Sequence, residues 1–283
     1  MHTLRVLWFV PSPLAVVADA LQLTTTVTIQ AERNPSSDAQ FEALASGQVD
    51  AVVTAMDNVM DWNLRPGPKD LILVAQLERT TPLTVVGQKG REKLDDLRGA
   101  TILVDAPRNG FVVALHAMLA AQGIRPDEYT LESVGGVKER FDAMVAGRGD
   151  ATLLGPPFDA MVLQAGLNRI AGVQERYPAF PGQGLVVSAG ALERLRPALS
   201  AWLRGLESAR QRMGSDPDAA RQALTLAGFP ASAVDSLARI APATLRPDRA
   251  GVELLIEQRR SAGLPGADTT YEKLVDSSVL PQS

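Results

Sequence analysis

The sequence predicts an α/β protein with two lobes, each a mostly parallel sheet flanked by helices, and with a helical C-terminal tail. A short phrase occurs twice at a constant offset of 100 residues, at 41–58 and at 141–159. Each copy has the pattern of a helix followed by a strand, which is the repeating unit of parallel sheets. Beyond about residue 191 the apolar periodicity is helical throughout. The repeat therefore predicts two similar lobes, and the tail predicts the helices that follow them.

The two copies of the phrase agree where a helix, its end and a strand are specified. In the first copy Phe41 starts a helical face, Gly47 suits the left-handed position that ends a helix, and Asp50 opens a short apolar strand. The copies differ just after the strand, at 55–58 and 155–158. The carboxyl end of a strand is where open α/β sheets bind ligands. We therefore expect these two segments to face one cleft from separate lobes.

Short apolar runs bounded by turn residues predict the strands, and apolar residues three and four apart predict the helices. For the first lobe the elements are a strand at 4–10, a helix at 14–21, a strand at 24–31, a helix starting near 36–38, the strand of the first phrase, a helix at 59–62, and strands at 71–77 and 82–86. A charged segment at 88–99, bounded by glycines, is interpreted as the crossing between the lobes.

The second lobe and the tail follow from the same patterns. The elements are a strand at 101–105, a helix at 111–122, a strand at 129–134, the second phrase, a helix at 158–165, a returning strand at 185–188, and tail helices at 192–213, 216–227, 233–240 and 249–262. These elements place lobe I at 1–88 plus 186–283 and lobe II at 89–185, with the ligand cleft between them.

Composition excludes several classes of function. Hydrophobic residues make up 46 % and charged residues 21 % of the chain, as in soluble globular proteins. The net charge is −4 without a run of lysine or arginine, so we expect no nucleic-acid partner. No window approaches the ~18 uncharged apolar residues of a membrane span, so we expect no membrane insertion. The absence of cysteine excludes disulfides, thiolate metal sites and cysteine nucleophiles. We expect a monomer.

The N-terminal residues run directly into the first predicted strand. A signal peptide consists of a basic segment, an extended apolar segment and a small-residue cleavage site, and the N-terminal residues show none of these three features. We therefore expect a periplasmic protein if a signal peptide has been removed, and a cytoplasmic protein if Met1 is the native start.

Three segments carry a resemblance to a known family: SGQVDAVVTAMDNV at 46–59, LRGATILVDAPRNG at 97–110 and GGVKERFDAMVAGRGDATLLGPPFD at 135–159. They resemble the type II periplasmic-binding-protein fold, and within it the nitrate/sulfonate/taurine-type substrate-binding proteins of ABC transporters and the related thiamine-precursor-binding group. The resemblance covers most of residues 3–190. It implies a protein that closes two lobes around a small molecule, with an ABC transporter permease as partner. It does not identify the ligand, because fold alone does not fix function.

The loop at 106–110 is a candidate anion site. It leads into the N-terminus of the helix at 111–122, where free backbone N–H groups and the helix dipole favour negative charge. Arg108 would add bidentate recognition of a carboxylate or sulfonate, and Asn109 and Gly110 would contribute backbone amides. The alternative for Arg108 is a solvated loop side chain. The resemblance favours ligand contact.

Met56, Asp57 and Asn58 follow the strand of the first phrase and are expected at the same cleft. Met56 would form a soft apolar wall. Asp57 would accept hydrogen bonds from a ligand amine or hydroxyl, or would only cap the helix that starts at Val59. Both roles of Asp57 stay open at this point.

Aromatic and small residues at other strand ends complete the predicted cleft. Trp8 and Phe9 end the first strand, and strand alternation turns one of them toward the core. Phe158 is the aromatic candidate of the second phrase, and core packing is the alternative for each of these rings. The remaining candidates are Pro11, Ser12, Gly135, Gly136, Gly155 and Pro156.

We expect a small ligand with an anionic or strongly polar end at 108–110. Its apolar or aromatic body would contact Trp8 or Phe9, together with Met56 and Phe158. No set of His, Asp and Glu has the spacing of a metal site, and no nucleotide-binding motif occurs in a suitable context. We therefore expect binding without a cofactor.

Two alternatives to solute binding stay open. An enzyme on the same fold, such as a metal-free decarboxylase or lyase of a small aromatic acid, would need a proton donor, which Asp57 or His116 would have to supply. For His116, inside the predicted helix at 111–122, a packing role is the alternative. Relatives that act as desulfinases depend on a cysteine, which this chain lacks. The third hypothesis is a ligand sensor that acts on a regulatory partner.

Overall fold

The structure, a computed structural model, describes residues 2–281. The strands are β1 (His2–Trp8), β2 (Val27–Arg33), β3 (Ala51–Ala55), β4 (Leu71–Gln76), β5 (Thr84–Gly87), β6 (Thr101–Val104), β7 (Thr130–Ser133), β8 (Ala151–Leu154), β9 (Asn168–Gly172) and β10 (Gln183–Ser188). The helices are α1 (Pro13–Ala20), α2 (Ser37–Ala45), α3 (Asn58–Trp62), α4 (Val112–Ala121), α5 (Val137–Val145), α6 (Phe158–Gln164), α7 (Val173–Arg176), α8 (Leu192–Ser215), α9 (Pro217–Leu226), α10 (Ala231–Leu237), α11 (Arg249–Ser261) and α12 (Tyr271–Leu274).

The strands form two five-stranded sheets, in the orders β2-β1-β3-β10-β4 and β7-β6-β8-β5-β9. In the first sheet β1 pairs in parallel with β2 and β3, and β10 runs antiparallel to β3 and β4. In the second sheet β6 pairs in parallel with β7 and β8, and β5 runs antiparallel to β8 and β9. Each sheet therefore receives one antiparallel strand from a connection between the lobes, and the predicted two-lobe α/β fold is confirmed.

The repeated phrase encodes the same junction in both sheets. The carboxylate of Asp50 accepts a hydrogen bond from the backbone N–H of Arg5 at 3.0 Å, and that of Asp150 accepts one from Thr101 at 2.8 Å. The backbone N–H of each aspartate donates in return to the carbonyl of the same neighbour. The aspartate therefore fixes the start of the central strand to its parallel neighbour, once in each lobe.

The first crossing between the lobes differs from the prediction. The strand predicted at 82–86 lies in the second sheet, as β5, because it pairs with β8 and β9. The chain crosses within 77–83, whereas the charged segment at 88–99 contains a short 3₁₀ helix whose Leu94 and Leu97 are buried. An apolar strand pattern carries no information about which sheet the strand joins. We propose lobe boundaries in the two connectors, 77–83 and 173–182.

β9 is a strand that the sequence analysis did not predict. It lies at the edge of the second sheet, and only Gly172 of its five residues is buried. An edge strand that is half exposed lacks the continuous apolar run by which the other strands were found.

The C-terminal helices pack on both lobes. α8 packs against α1 and β1 of the first lobe, whereas α11 packs against α4 of the second lobe. Apolar residues of β3, β8, α4 and α11 belong to one buried cluster. Among residues 2–281 no helix has both the length and the apolar character needed to cross a membrane.

Candidate functional site

The ends of strands from both sheets enclose a cavity between the lobes. Its volume is about 90 Å³, and because roughly 10–15 Å³ suffices for one water, it has room for several water-sized groups. The first phrase contributes Ala55 and Asn58 to its wall, and the second contributes Gly155 and Pro156. The two copies therefore end at one cavity, which explains why they share a framework and differ at the end.

Most of the wall is apolar. Phe9 at the end of β1 and Phe111 before α4 supply its aromatic rings. The apolar side chains around them include Leu83, Val104, Leu115, Leu153, Leu237 and Ile240. A largely apolar cavity with a few placed polar groups is typical of sites for small organic ligands.

Arg140 is the only cationic side chain among the described residues that line the cavity. Its Nε atom is buried, and the guanidinium makes neither a hydrogen bond nor an ion pair with any residue in 2–281. Burial lowers the pKa of Arg140, while the nearby Asp105 and Glu139 act in the opposite direction. An arginine without a partner in an apolar cavity is complementary to a carboxylate, sulfonate or phosphonate.

The start of α5 strengthens the positive potential near Arg140. Gly136, the N-cap residue of α5, and Val137, its first residue, both line the cavity. The N-terminus of a helix carries the positive end of its dipole and favours an anion.

Asp105, at the end of β6, connects the lobes. Its two oxygens accept hydrogen bonds from the backbone N–H of Ser37, the first residue of α2, at 3.2 and 3.1 Å. Burial raises the pKa of Asp105, and the Ser37 hydrogen bonds and the charge of Arg140 oppose that rise. A carboxylate at the start of a helix is stabilised by the helix dipole.

Other bonds hold the lobes together beside the cavity. The N–H of Gly136 donates to the carbonyl of Pro35 at 2.6 Å, and Arg33 pairs with Glu139 at 2.5 Å. The Nδ2 amide of Asn109 donates to Oδ1 of Asn58 at 2.7 Å. The structure therefore shows the lobes in a closed arrangement.

Glu78, Thr81 and Gln183 form a polar group where the two connectors meet the cavity. The Oε1 oxygen of Glu78 accepts a hydrogen bond from Nε2 of Gln183 at 2.8 Å, and its Oε2 oxygen accepts one from the Thr81 hydroxyl. Burial raises the pKa of the Glu78 carboxyl, and these hydrogen bonds oppose the rise.

Of the residues that we predicted at the ligand site, the cavity wall contains Phe9, Pro11, Asn58, Asn109, Gly110, Gly136, Gly155 and Pro156. The side chains of the other seven candidates lie elsewhere, and each has another environment.

Arg108 points away from the cavity. Its side chain is 60 % exposed and lies 3.6 Å from the Asp61 carboxylate. The N–H of Gly110, where we expected a ligand anion, donates instead to the Asp57 carboxylate at 2.9 Å. The loop at 106–110 does bind an anion, but that anion is a side chain of the protein.

Asp57 is buried, and its carboxylate binds other groups of the protein. It occupies the N-cap position of α3, but its side chain makes no capping hydrogen bond. Its Oδ2 oxygen pairs with Nη1 of Arg259 at 2.7 Å, and the same Nη1 donates to the carbonyl of Arg108 at 2.9 Å. Burial raises the pKa of Asp57 to about 6, although Arg259 and Gly110 favour the ionised form. This pair joins α11 to both lobes.

Met56, Trp8 and Phe158 pack in cores. Met56 is 1 % exposed and fills the space beside Gly184. A Cβ atom added to Gly184 would lie 2.7 Å from the Cγ atom of Met56. Trp8 packs against the core of the first lobe, and the ring of Phe158 lies 5.4 Å from that of Phe141.

Ser12 and Gly135 adjoin the cavity without lining it. Ser12 is fully buried between Pro11 and Pro13, which do line the wall. Gly135 has a φ of 113° and approaches the Pro35 carbonyl in the other lobe, so it makes the turn that brings α5 to the cleft.

His116 has a packing role. Its Nε2 atom lies 3.0 Å from the Pro107 carbonyl and its Nδ1 atom 2.8 Å from the Tyr129 hydroxyl. Because a carbonyl only accepts hydrogen bonds, Nε2 carries the proton and Nδ1 accepts from Tyr129. Burial lowers the pKa of His116. Neither His116 nor Asp57, the proton donors that the decarboxylase alternative requires, lines the cavity.

Glu78, Asp105, Arg140 and Gln183 also line the cavity, and none of them is among the predicted site residues. Asp105 directly follows β6, so the same strand-end rule that selected Asp57 would have found it. Arg140 and Gln40 stand immediately before the two phrases, and Gln40 is buried with its amide donating to the Val53 carbonyl at 3.0 Å. The prediction places the first crossing after Glu78, at 88–99, and starts the returning strand at 185, after Gln183, whereas β10 starts at Gln183.

Comparisons with known proteins agree with this architecture. A family model described as "ABC transporter, phosphonate, periplasmic substrate-binding protein" matches residues 13–236. No curated protein sequence matches significantly.

Many solved structures are similar to the chain. The alkanesulfonate-binding protein SsuA from Xanthomonas axonopodis pv. citri, bound to MOPS, is 19 % identical with a TM-score of 0.78, covering 98 % of this chain and 99 % of that one. The periplasmic nitrate-binding protein NrtA from Synechocystis PCC 6803 is 10 % identical with a TM-score of 0.81, covering 99 % and 87 %. The CA3427 gene product of Candida albicans, described as having the generic periplasmic binding protein fold, is 11 % identical with a TM-score of 0.80, covering 100 % and 99 %.

At these identities the structural similarity shows the fold, which is the two-lobe periplasmic-binding-protein fold. The family model goes further because it spans most of both lobes and the first tail helices. The chain belongs to the family of periplasmic phosphonate substrate-binding proteins of ABC transporters.

Proposed function

We propose that this protein binds a small organic anion in the cavity between its lobes, with Arg140 as the cationic partner of the anion. Phosphonate, sulfonate and carboxylate groups are the candidate anions, since each offers oxygens that a guanidinium binds through two parallel hydrogen bonds. The protein would release this ligand to the permease of an ABC transporter. We propose that it works in the periplasm and as a monomer.

The unpaired guanidinium of Arg140 carries this proposal. Withdrawing a charged group from water is costly, and the nearby charges of Asp105 and Glu139 offset that cost for Arg140 without a hydrogen bond to its guanidinium. A bound anion would supply the missing charge and hydrogen-bond acceptors. An anionic ligand is supported by the family description, which names phosphonate. It is also supported by two similar structures, which are named for binding alkanesulfonate and nitrate.

Isothermal titration calorimetry with propylphosphonate and propanesulfonate tests the proposal. The protein should bind at least one of them, and Arg140→Gln should weaken that binding by about 1.5–3 kcal/mol, the range for a hydrogen bond to a charged group. Arg108→Gln is the matched control, because Arg108 is exposed and outside the cavity, and it should leave the affinity unchanged.

Two results would contradict the proposal. One is that Arg108→Gln weakens binding and Arg140→Gln does not, which would show that the anion binds at the loop at 106–110. The other is that neither anion binds the wild-type protein.

A further inference from the structure

A second pocket lies at the connectors, and we call it the connector pocket. Gln76 at the end of β4 and Arg79 of the first connector line it, together with Pro178 of the second connector and Arg246 and Arg249 of the C-terminal tail. None of these five residues lines the cavity between the lobes. The volume of the connector pocket is about 550 Å³, and sites for small molecules usually measure about 300–1,000 Å³.

We propose that the connector pocket binds a second anion, a small molecule with two phosphate or carboxylate groups, through the guanidinium groups of Arg79 and Arg246. This site is separate from the cavity at Arg140, and the proposed function of that cavity does not require it.

The lining of the connector pocket is cationic, although the net charge of the chain is −4. Three arginines and a single carboxylate, that of Asp248, line the pocket. Asp248 is the N-cap residue of α11, and its Oδ2 oxygen accepts a hydrogen bond from the N–H of Gly251 at 2.8 Å. The one acidic side chain of the lining therefore binds the start of a helix, and the positive charge of the pocket stays in excess.

Two of the three arginines have no anionic partner. Arg249 pairs with Glu272 at 2.6 Å, and its guanidinium lies 4.2 Å from the centre of the Tyr271 ring. Arg79 and Arg246 are exposed and form no ion pair with any residue in 2–281. A guanidinium binds a phosphate or carboxylate through two parallel hydrogen bonds. Two free guanidinium groups in one pocket are thus complementary to a ligand with two anionic groups.

Tyr271 lies beside the cationic side chains of the tail. Its hydroxyl donates to the carbonyl of Pro247 at 2.7 Å. Burial raises the pKa of Tyr271, and the nearby charges of Arg246 and Arg249 oppose that rise. Like charges that share a site repel each other, and an anion bound at Arg246 would offset this repulsion.

Backbone hydrogen bonds hold the tail against the first connector. The N–H of Arg79 donates to the carbonyl of Ile240 at 2.6 Å, and the N–H of Gln76 donates to the carbonyl of Leu245 at 2.8 Å. The Oε1 oxygen of Gln76 accepts from the N–H of Asp248 at 2.7 Å. The backbone around Arg79 and Arg246 is therefore ordered before a ligand binds, which lowers the entropic cost of binding.

Titration calorimetry with inorganic pyrophosphate tests the inference, because pyrophosphate carries one phosphoryl group for each arginine. The titrations are made at low ionic strength, since salt screens exposed charges. Arg140→Gln is titrated beside the wild type, because the cavity between the lobes also attracts anions. Both proteins should bind pyrophosphate at the connector pocket with similar affinity.

The double variant Arg79→Gln with Arg246→Gln should weaken pyrophosphate binding about tenfold or more, the loss expected for a hydrogen bond to a charged group. Each single variant should show a smaller loss in the same direction. The matched control is Lys89→Gln with Arg204→Gln, which removes two exposed positive charges outside the pocket. The control should keep the affinity, and the melting temperatures of both double variants should stay close to that of the wild type.

Three results would overturn the second site. The first is that the wild-type protein does not bind pyrophosphate, and the second is that both double variants weaken binding equally. The third is that binding is lost in Arg140→Gln and kept in the variant of Arg79 and Arg246, which would place pyrophosphate in the cavity. The proposed function of the cavity is tested separately, by the titrations with propylphosphonate and propanesulfonate.

Discussion

Arg259 and Asp57 form, among residues 2–281, the only ion pair in which both side chains are fully buried, at 0 % and 1 % exposure. Arg259 also donates to the carbonyls of Arg108 and Pro265. A buried charge that loses its partner is far more destabilising than the pair itself is stabilising. The cost of removing Arg259 should therefore be large.

We expect Arg259→Met to lower the free energy of unfolding by about 3–5 kcal/mol, because it leaves Asp57 without its cation. Urea denaturation measures this change. Arg260→Met is the control, because Arg260 is exposed and its pair with Glu257 is a surface pair worth roughly 0–1 kcal/mol. If Arg259→Met lowers the free energy of unfolding by no more than about 1 kcal/mol, the upper end for a surface pair, Asp57 does not depend on this pair.

His116 makes the stability of the protein depend on pH. Burial lowers its folded pKa below the ordinary value of 6.5, so the unfolded chain binds a proton that the folded protein does not. Stability is therefore lost as the pH falls through 6.5 toward the folded pKa, by at most about 1.4 kcal/mol per pH unit. Comparing urea midpoints of the wild type and His116→Gln between pH 5 and 8 checks this, because the variant should lack that slope. Parallel pH curves would contradict it.

At the scale of elements, the contact between Phe9 and the start of α5 limits how closely the lobes approach. A Cβ atom at Gly136 would lie 2.7 Å from the Phe9 ring and 3.0 Å from the Pro35 carbonyl, both in the other lobe. The φ of Gly136 is −63°, which any residue adopts without strain. A methyl group there therefore opposes closure without straining its own backbone.

Gly136→Ala should consequently weaken ligand binding by about 1–3 kcal/mol, the usual cost of overpacking. The melting temperature of the protein without ligand should stay close to that of the wild type. Titration calorimetry and thermal denaturation measure the two effects. Gly214→Ala, in α8 with no atom within 4 Å of the new Cβ, should leave the affinity unchanged. Equal affinity of Gly136→Ala and wild type would mean that the lobes close differently.

Most elements follow from local patterns, but the connections between them do not. The repeated phrase predicts α2–β3 and α5–β8 because each encodes a complete local unit, with Gly47 and Gly147 at φ values of 71° and 77° where the helices end. The sheet membership of β5 depends on pairing with distant strands, and no local pattern contains that pairing.

The candidate site was harder to predict than the fold. Strand-end reasoning leads to residues around the cavity, since eight of the predicted residues line it. It cannot distinguish a carboxylate that binds a ligand from Asp57, whose carboxylate forms an ion pair with Arg259 on the distant α11. Arg140 is identified by the hydrogen-bond partner that it lacks, and only the packed structure shows that this partner is absent.

At the scale of the whole molecule, the two connectors and α11 link the lobes within the part of the chain that the structure describes. The connectors pass so closely that a Cβ atom at Gly182 would lie 2.5 Å from that of Glu78. α11 contacts α4 of the second lobe, while its Arg259 pairs with Asp57 of the first. Glu78 lines the cavity from the first connector, and Arg140 lines it from α5.

A crystal structure of the protein with propylphosphonate tests the central claim most directly. The phosphonate should lie in the cavity between the lobes, with its oxygens about 2.7–2.9 Å from the Arg140 guanidinium, the distance of a charge-assisted hydrogen bond. A phosphonate bound at the exposed side chain of Arg108, or outside the cleft with Arg140 still unpaired, would contradict the claim.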